Sequence, residues 1–131
     1  MQVITKGEAG GAQTHVLELC RALQSRVRFS AAIGHDGAAT PLGQALQAQG
    51  VPVTALPALG NSLHPLRLWR AVRDLLRLIR AQRPDLIHVH SAVAGVVARV
   101  AGKISQTPVV YTVHGFGFKP QAPRLQRRYA R

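Results

Sequence analysis

The chain has 131 residues, 47% of them hydrophobic, which suits one compact domain and argues against a disordered tail. Its 17 Lys and Arg against 5 Asp and Glu give a formal net charge of +12, which calls for an anionic partner: nucleic acid, an anionic membrane surface or a phosphorylated small molecule. One cysteine, Cys20, excludes an internal disulfide framework, and no apolar run approaches the roughly 18 residues of a membrane-crossing helix, so a soluble chain in a reducing, cytoplasmic setting is expected.

In chain order, Gln2 to Thr5 is a short β-prone run ended by Lys6-Gly7-Glu8-Ala9-Gly10-Gly11. The following AQTHVLELCRALQSR has helical spacing, with Ala12, Val16, Leu19, Cys20 and Leu23 on one face. Val27 to Gly34 is the next expected strand, and His35-Asp36-Gly37 the loop after it. Pro41 suits the first turn of a short helix to Gln49, with Gly50 just beyond its end. A strand is expected from Val51 to Leu56.

The spacing then predicts a longer helix from Pro65 to Gln82 with two opposed stripes. Leu68, Val72, Leu75, Leu76 and Ile79 face inward, while Arg67, Arg70, Arg73, Arg77 and Arg80 recur every three or four residues on the other side. Pro84 stops the helix, and Asp85 to His90 is a strand ending in polar residues. Ser91 is the expected N-cap of a helix from Ala92 to Ile104, and Pro108 opens a last strand, Val109 to Val113, that runs into His114-Gly115-Phe116-Gly117. Strands alternating with helices imply a Rossmann-like, doubly wound α/β domain with a parallel sheet of about five strands. Ligands of such sheets sit beyond the carboxyl ends of the strands, near the switch in strand order.

Three features fall at that edge. The turn holding Gly7, Gly10 and Gly11 can let a ligand approach the backbone and present helix N–H groups to a phosphate, or it can be a tight turn required by packing. It matches neither G-x-G-x-x-G nor a Walker A loop, and Gln13 is placed to add a polar contact. His88 and His90 alternate with Val89, so both side chains leave the same face of their strand; His88 is either a crevice residue or a satisfied structural one. A metal is not expected, because the pair lacks a third ligand. His114 ends the last strand, where it can hydrogen-bond a sugar hydroxyl or phosphate, act as a base near neutral pH, or be a strand-terminal histidine with only a structural bond.

The ordered segments Gly10-Gly11-Ala12-Gln13 with His15-Val16-Leu17-Glu18-Leu19, Pro84-Asp85-Leu86-Ile87-His88-Val89-His90-Ser91, and Pro108 through Phe116 resemble the N-terminal domain of the family 4 glycosyltransferases. The resemblance implies one half of a GT-B fold, two Rossmann-like domains facing each other across a cleft. It also implies transfer of a sugar from a nucleotide-diphosphate-sugar donor to a glycan or lipid-linked acceptor, with retention and with no cofactor or metal. By position, Gly10 and Gly11 would approach the donor phosphates and His114 the transferring sugar. Gln13, His88, His90 and Ser91 would line the acceptor side of the crevice. The family's second, donor-holding domain has no counterpart in these 131 residues, and the chain stops in the basic run Arg124 to Arg131, so it reads as a fragment without full activity alone. The arginines Arg67, Arg70, Arg73, Arg77 and Arg80 become candidates for docking on the anionic cytoplasmic membrane face. Two other classes compete: a GT-B sugar-nucleotide epimerase, and a non-catalytic basic module for nucleic acid or another polyanion. The few aromatics, Phe29, Phe116, Phe118, Tyr111, Tyr129 and Trp69, form no basic and aromatic pattern, so nucleic acid is not the expected partner.

Overall fold

A computed structural model of the chain describes residues 1–7 and 10–114. Glu8, Ala9, Gly115, Phe116, Gly117 and the run Arg124 to Arg131 lie outside the described residues. The elements are β1 (Gln2–Ile4), α1 (Gly11–Leu23), β2 (Ala31–Gly34), a 3-10 turn (Gly37–Ala39), α2 (Pro41–Ala48), β3 (Val53–Leu56), α3 (Pro65–Gln82), β4 (Ile87–Val89), α4 (Ala92–Ser105) and β5 (Val109–Tyr111). Every strand pairing is parallel and the order is β3-β2-β1-β4-β5. The chain builds outward from β1 to β3, then returns to the other side of β1, which places the topological switch between β1 and β4.

Strand alternation divides the core in two. Met1, Val3, Ala32, Leu56, Ile87 and Val89 turn toward α3 and α4 and pack with Ala71, Leu75, Ile79, Val97 and Ala101. Ile4, Ala31 and Ile33 turn the other way, against Val16 and Cys20 of α1 and Leu42 and Leu46 of α2. Near-continuous burial of short β-branched and small residues is the pattern of a parallel sheet covered on both faces. Burial pushes the Cys20 thiol up to about 11, so it stays protonated as a small apolar core group.

Punctuation residues set the helix ends. Pro41 starts α2 behind the N-cap Thr40, whose hydroxyl accepts from the Gly43 amide at 3.2 Å. The Gly50 that follows takes φ of 81°. Pro65 starts α3, and the His64 ring accepts from the Leu66 amide at 3.3 Å. Arg83 ends that helix in the left-handed region at φ 48°, with its amide on the Ile79 carbonyl, and Pro84 prevents continuation.

The strands are shorter than the sequence suggests. The expected strand from Val27 begins only at Ala31, where register pairing with Gln2 of β1 and Val53 of β3 starts; before it, the Ser30 carbonyl accepts from the Gln2 amide at 2.7 Å. The expected strand over 85–90 is paired only over Ile87–Val89, and β5 ends at Tyr111 opposite Val89. On α3 the inward stripe also includes Ala71, buried against the core, and Leu78, half-buried at its margin.

Candidate functional site

The crevice edge gathers the ends of β1, β4 and β5 and the start of α1. Gln2 and His88 are register partners, and both send their side chains to the α1 side of the sheet. His90, two residues on, does the same and is buried at 4% exposure. Its Nε2 lies 2.6 Å from the Gln2 carboxamide oxygen, and its Nδ1 lies 3.0 Å from Nε2 of the exposed His114. His15, one turn into α1, joins them, with its ring centroid 5.2 Å from that of His114 and 5.9 Å from that of His90. The start of α1, the end of β4 and the end of β5 therefore meet in one histidine cluster at the switch point.

Burial sets the charge state of this cluster. His90 is pushed down to about 3, first by desolvation and then by the neighbouring His88, His114 and His15, so it is neutral at physiological pH. His114 is also lowered from its ordinary value, by desolvation and then by His15. His88 is lowered by desolvation and by His15, His114 and the Met1 ammonium. Neutral rings have one donor and one acceptor nitrogen each, so the cluster is a hydrogen-bonding network at neutral pH. Among the described residues no group of three or more His, Cys, Asp or Glu side chains is arranged to hold a metal ion.

The other expected site residues separate. His88 stands over the sheet face, not at its rim: its Nε2 lies 2.6 Å from the Thr112 hydroxyl, and it borders a hollow at the amino ends of the strands with Arg26, Arg28, Phe29 and Val110. Ser91 occupies the N-cap position of α4 but makes no side-chain cap. Its hydroxyl instead accepts from the Thr5 amide at 3.2 Å, tying the end of β1 to the end of β4. Gln13 donates to the Lys6 carbonyl at 2.9 Å and so closes the glycine turn.

The glycines differ from expectation in a physically specific way. Gly10 sits at φ 175°, extended backbone open to any residue, and a Cβ on Gly11 would meet nothing within 4 Å. Gly7 is the position that demands glycine, because a Cβ there would overlap the Thr40 side chain. Gly10 offers no capping side chain and the first turn of α1 has no acidic residue, so among the described residues no side chain caps the amides at the helix start.

On the opposite face of the sheet, Arg67, Arg70, Arg77 and Arg80 of α3 are exposed. Arg73 is half-buried, bonded to Asp74 at 3.2 Å and lying 5.3 Å over the Trp69 ring. The same outer side exposes Leu63 at 67%, Leu66 at 49% and Trp69 at 59%. On helical spacing Arg67 lies at the margin of the stripe, away from the Leu66, Arg70, Arg73 and Arg77 line. Among the described residues no helix is long and apolar enough to cross a membrane.

Sequence reasoning missed Gln2, Thr112 and the part played by His15. A glutamine in the central strand of a buried sheet was the available signal for Gln2, and placement one helical turn past Gly11 was the signal for His15.

A parallel sheet in the order β3-β2-β1-β4-β5, with its polar cluster at the switch point, defines a Rossmann-like α/β domain of the GT-B kind. The chain belongs to the glycosyl transferase 4-like domain family, the N-terminal type of the family 4 glycosyltransferases, which its residues 10–131 match. It is similar to the UDP-Gal:alpha-D-GlcNAc-diphosphoundecaprenol alpha-1,3-galactosyltransferase of Escherichia coli, at 31% identity over 65 residues that make up 49% of this chain and 17% of that protein. Among solved structures, MurG of Acinetobacter baumannii superposes at a TM-score of 0.69 with 14% identity, covering 98% of this chain and 38% of that one. UDP-GlcNAc 2-epimerase from Neisseria meningitidis, solved with UDP-GlcNAc, gives a TM-score of 0.62 with 16% identity, covering 99% of this chain and 38% of that one. At these identities the solved structures define the fold alone. The chain spans well under half the length of each of these proteins.

Proposed function

We propose that this domain forms the acceptor-side wall of a glycosyltransferase that moves a sugar from a nucleotide-diphosphate-sugar donor to a lipid-linked or glycan acceptor. The observation that carries the proposal is the meeting of His114 with the start of α1, through His15, at the switch point of the sheet. A donor lying across that edge would set its phosphates by the amides of Gly10 and Gly11 and the transferring sugar by His114. A neutral His114 suits that role, since it hydrogen-bonds a sugar hydroxyl without placing a positive charge in the cluster.

The acceptor reading draws on the Escherichia coli relative, whose name specifies a diphosphoundecaprenol-linked acceptor. It also draws on α3, whose exposed Leu66 and Trp69 stand beside Arg70, Arg73 and Arg77, and on the exposed Leu63 just before it. Such a helix face suits peripheral binding to the anionic cytoplasmic face of a membrane, where a lipid-linked acceptor would be found. His90, Ser91 and Gln13 then hold the crevice edge together, and a second domain would supply the donor-side wall.

The test is a transfer assay on the longest reading frame containing this chain, with labelled sugar nucleotides and polyprenyl-diphosphate-linked sugar acceptors. The proposal expects label on the acceptor and release of nucleoside diphosphate. An epimerised donor sugar with no acceptor product would overturn it in favour of the epimerase reading.

A further inference from the structure

The geometry points to Gln2 and His90 as positioning residues that fix His114 in its Nε2–H tautomer, so that Nδ1 is its one basic nitrogen. This inference rests on the proposed role of His114 and adds to it which ring nitrogen is available to substrate.

The proton assignment follows link by link. The Gln2 carboxamide oxygen has only lone pairs, and it lies 2.6 Å from His90 Nε2. Two lone pairs at that separation would repel, so Nε2 of His90 carries a hydrogen and donates it. His90 is buried, and among the described residues the titratable neighbours that act on it are other imidazoles: His88 on its own strand, His15 on α1 and His114 after β5. The Met1 ammonium, just before β1, acts on His88, the strand neighbour of His90. Among the described residues no carboxylate lies beside His90 to stabilise an imidazolium, so the buried ring is neutral and its Nδ1 keeps a lone pair. That lone pair faces His114 Nε2 at 3.0 Å, and the bond exists only if His114 supplies the hydrogen. The chain of donors therefore runs from His114 to His90 to Gln2, from the exposed rim to the buried centre of the sheet.

Gln2 is buried at 4% exposure on the central strand, where an apolar residue would ordinarily pack. Burying its carboxamide is compensated by the bond to His90, and the bond in turn removes the tautomeric freedom of two rings. When His114 takes a proton it does so at Nδ1, with its Nε2–H bond to His90 unbroken.

The experiment is a long-range proton–nitrogen correlation spectrum of the 15N-labelled 131-residue chain near neutral pH, which distinguishes protonated from bare imidazole nitrogens. The inference expects Nε2–H at both His90 and His114. Gln2→Met, close in length but without the acceptor, should lose the single Nε2–H state at His114. Gln2→Glu keeps an acceptor oxygen and should preserve that state while raising the His90 pKa. Nδ1–H at either ring in the unaltered chain, or an unchanged His114 in Gln2→Met, would overturn the inference. Should Gln2→Met fail to fold, the unaltered chain and Gln2→Glu decide the matter alone. Tautomers as expected alongside full turnover in His114→Ala would leave the positioning chain standing and remove the proposed role of His114.

Discussion

Acidification should unfold this domain through His90 in a way that can be calculated. The ring titrates ordinarily at 6.5 and is pushed down to about 3 in the fold. Between those values the unfolded chain binds the proton and the folded chain does not, so stability is fully present above the ordinary value and falls as pH drops toward the folded one. A pH of about 5 lies roughly 1.5 units below the ring's ordinary value, a loss of about 2 kcal/mol at ~1.4 kcal/mol per unit. For a chain of this size that corresponds to a drop of roughly 8 °C in Tm. His88 and His114 are lowered in the same direction and add to the loss. The contribution of His90 is isolated by comparison with His90→Gln, using urea unfolding at about pH 7.5 and about pH 5. The substitution should lower stability at the higher pH and lose about 2 kcal/mol less on acidification. Equal losses in both proteins would refute the neutral, buried state of His90.

Two further predictions concern the turn and the basic helix. Gly7→Ala should destabilise by about 1 to 3 kcal/mol, since its methyl would overlap Thr40, whereas Gly11→Ala should change stability by less than about 1 kcal/mol; chemical denaturation of both variants checks the contrast. Replacing Arg70 and Arg77 together by Glu should reduce sedimentation with anionic vesicles by about tenfold or more, at about 1 kcal/mol per charge, and leave neutral vesicles unaffected. Equal sedimentation with neutral and anionic lipid would remove the membrane role of α3.

Local chemistry made much of the fold legible. Pro65 and Pro84 bracket α3, and its bounds follow from them because proline tolerates a first helical turn and forbids a continuation. The alternation of strands and helices likewise implied the parallel sheet. Strand ends were less legible, because pairing depends on where a distant neighbour begins: Val27 and Phe29 are β-prone, but register pairing with β1 starts only at Ala31. The same limit applies at the crevice. His90 and His114 could be placed at the rim from strand position, but the bond from Gln2 to His90 joins residues 88 apart and depends on the register of β1 with β4. Spacing also drew attention to Gly10 and Gly11, while the steric demand for glycine falls on Gly7 through its contact with Thr40 in another loop.

The central claim is that His114 touches the transferring sugar, and its most direct test is turnover of His114→Ala in the transfer assay, with circular dichroism of the variant as the folding control. Removing a positioned group that stabilises the reacting centre should lower kcat by about a hundredfold or more, with the domain still folded. Turnover within a few-fold of the unaltered protein would contradict the account.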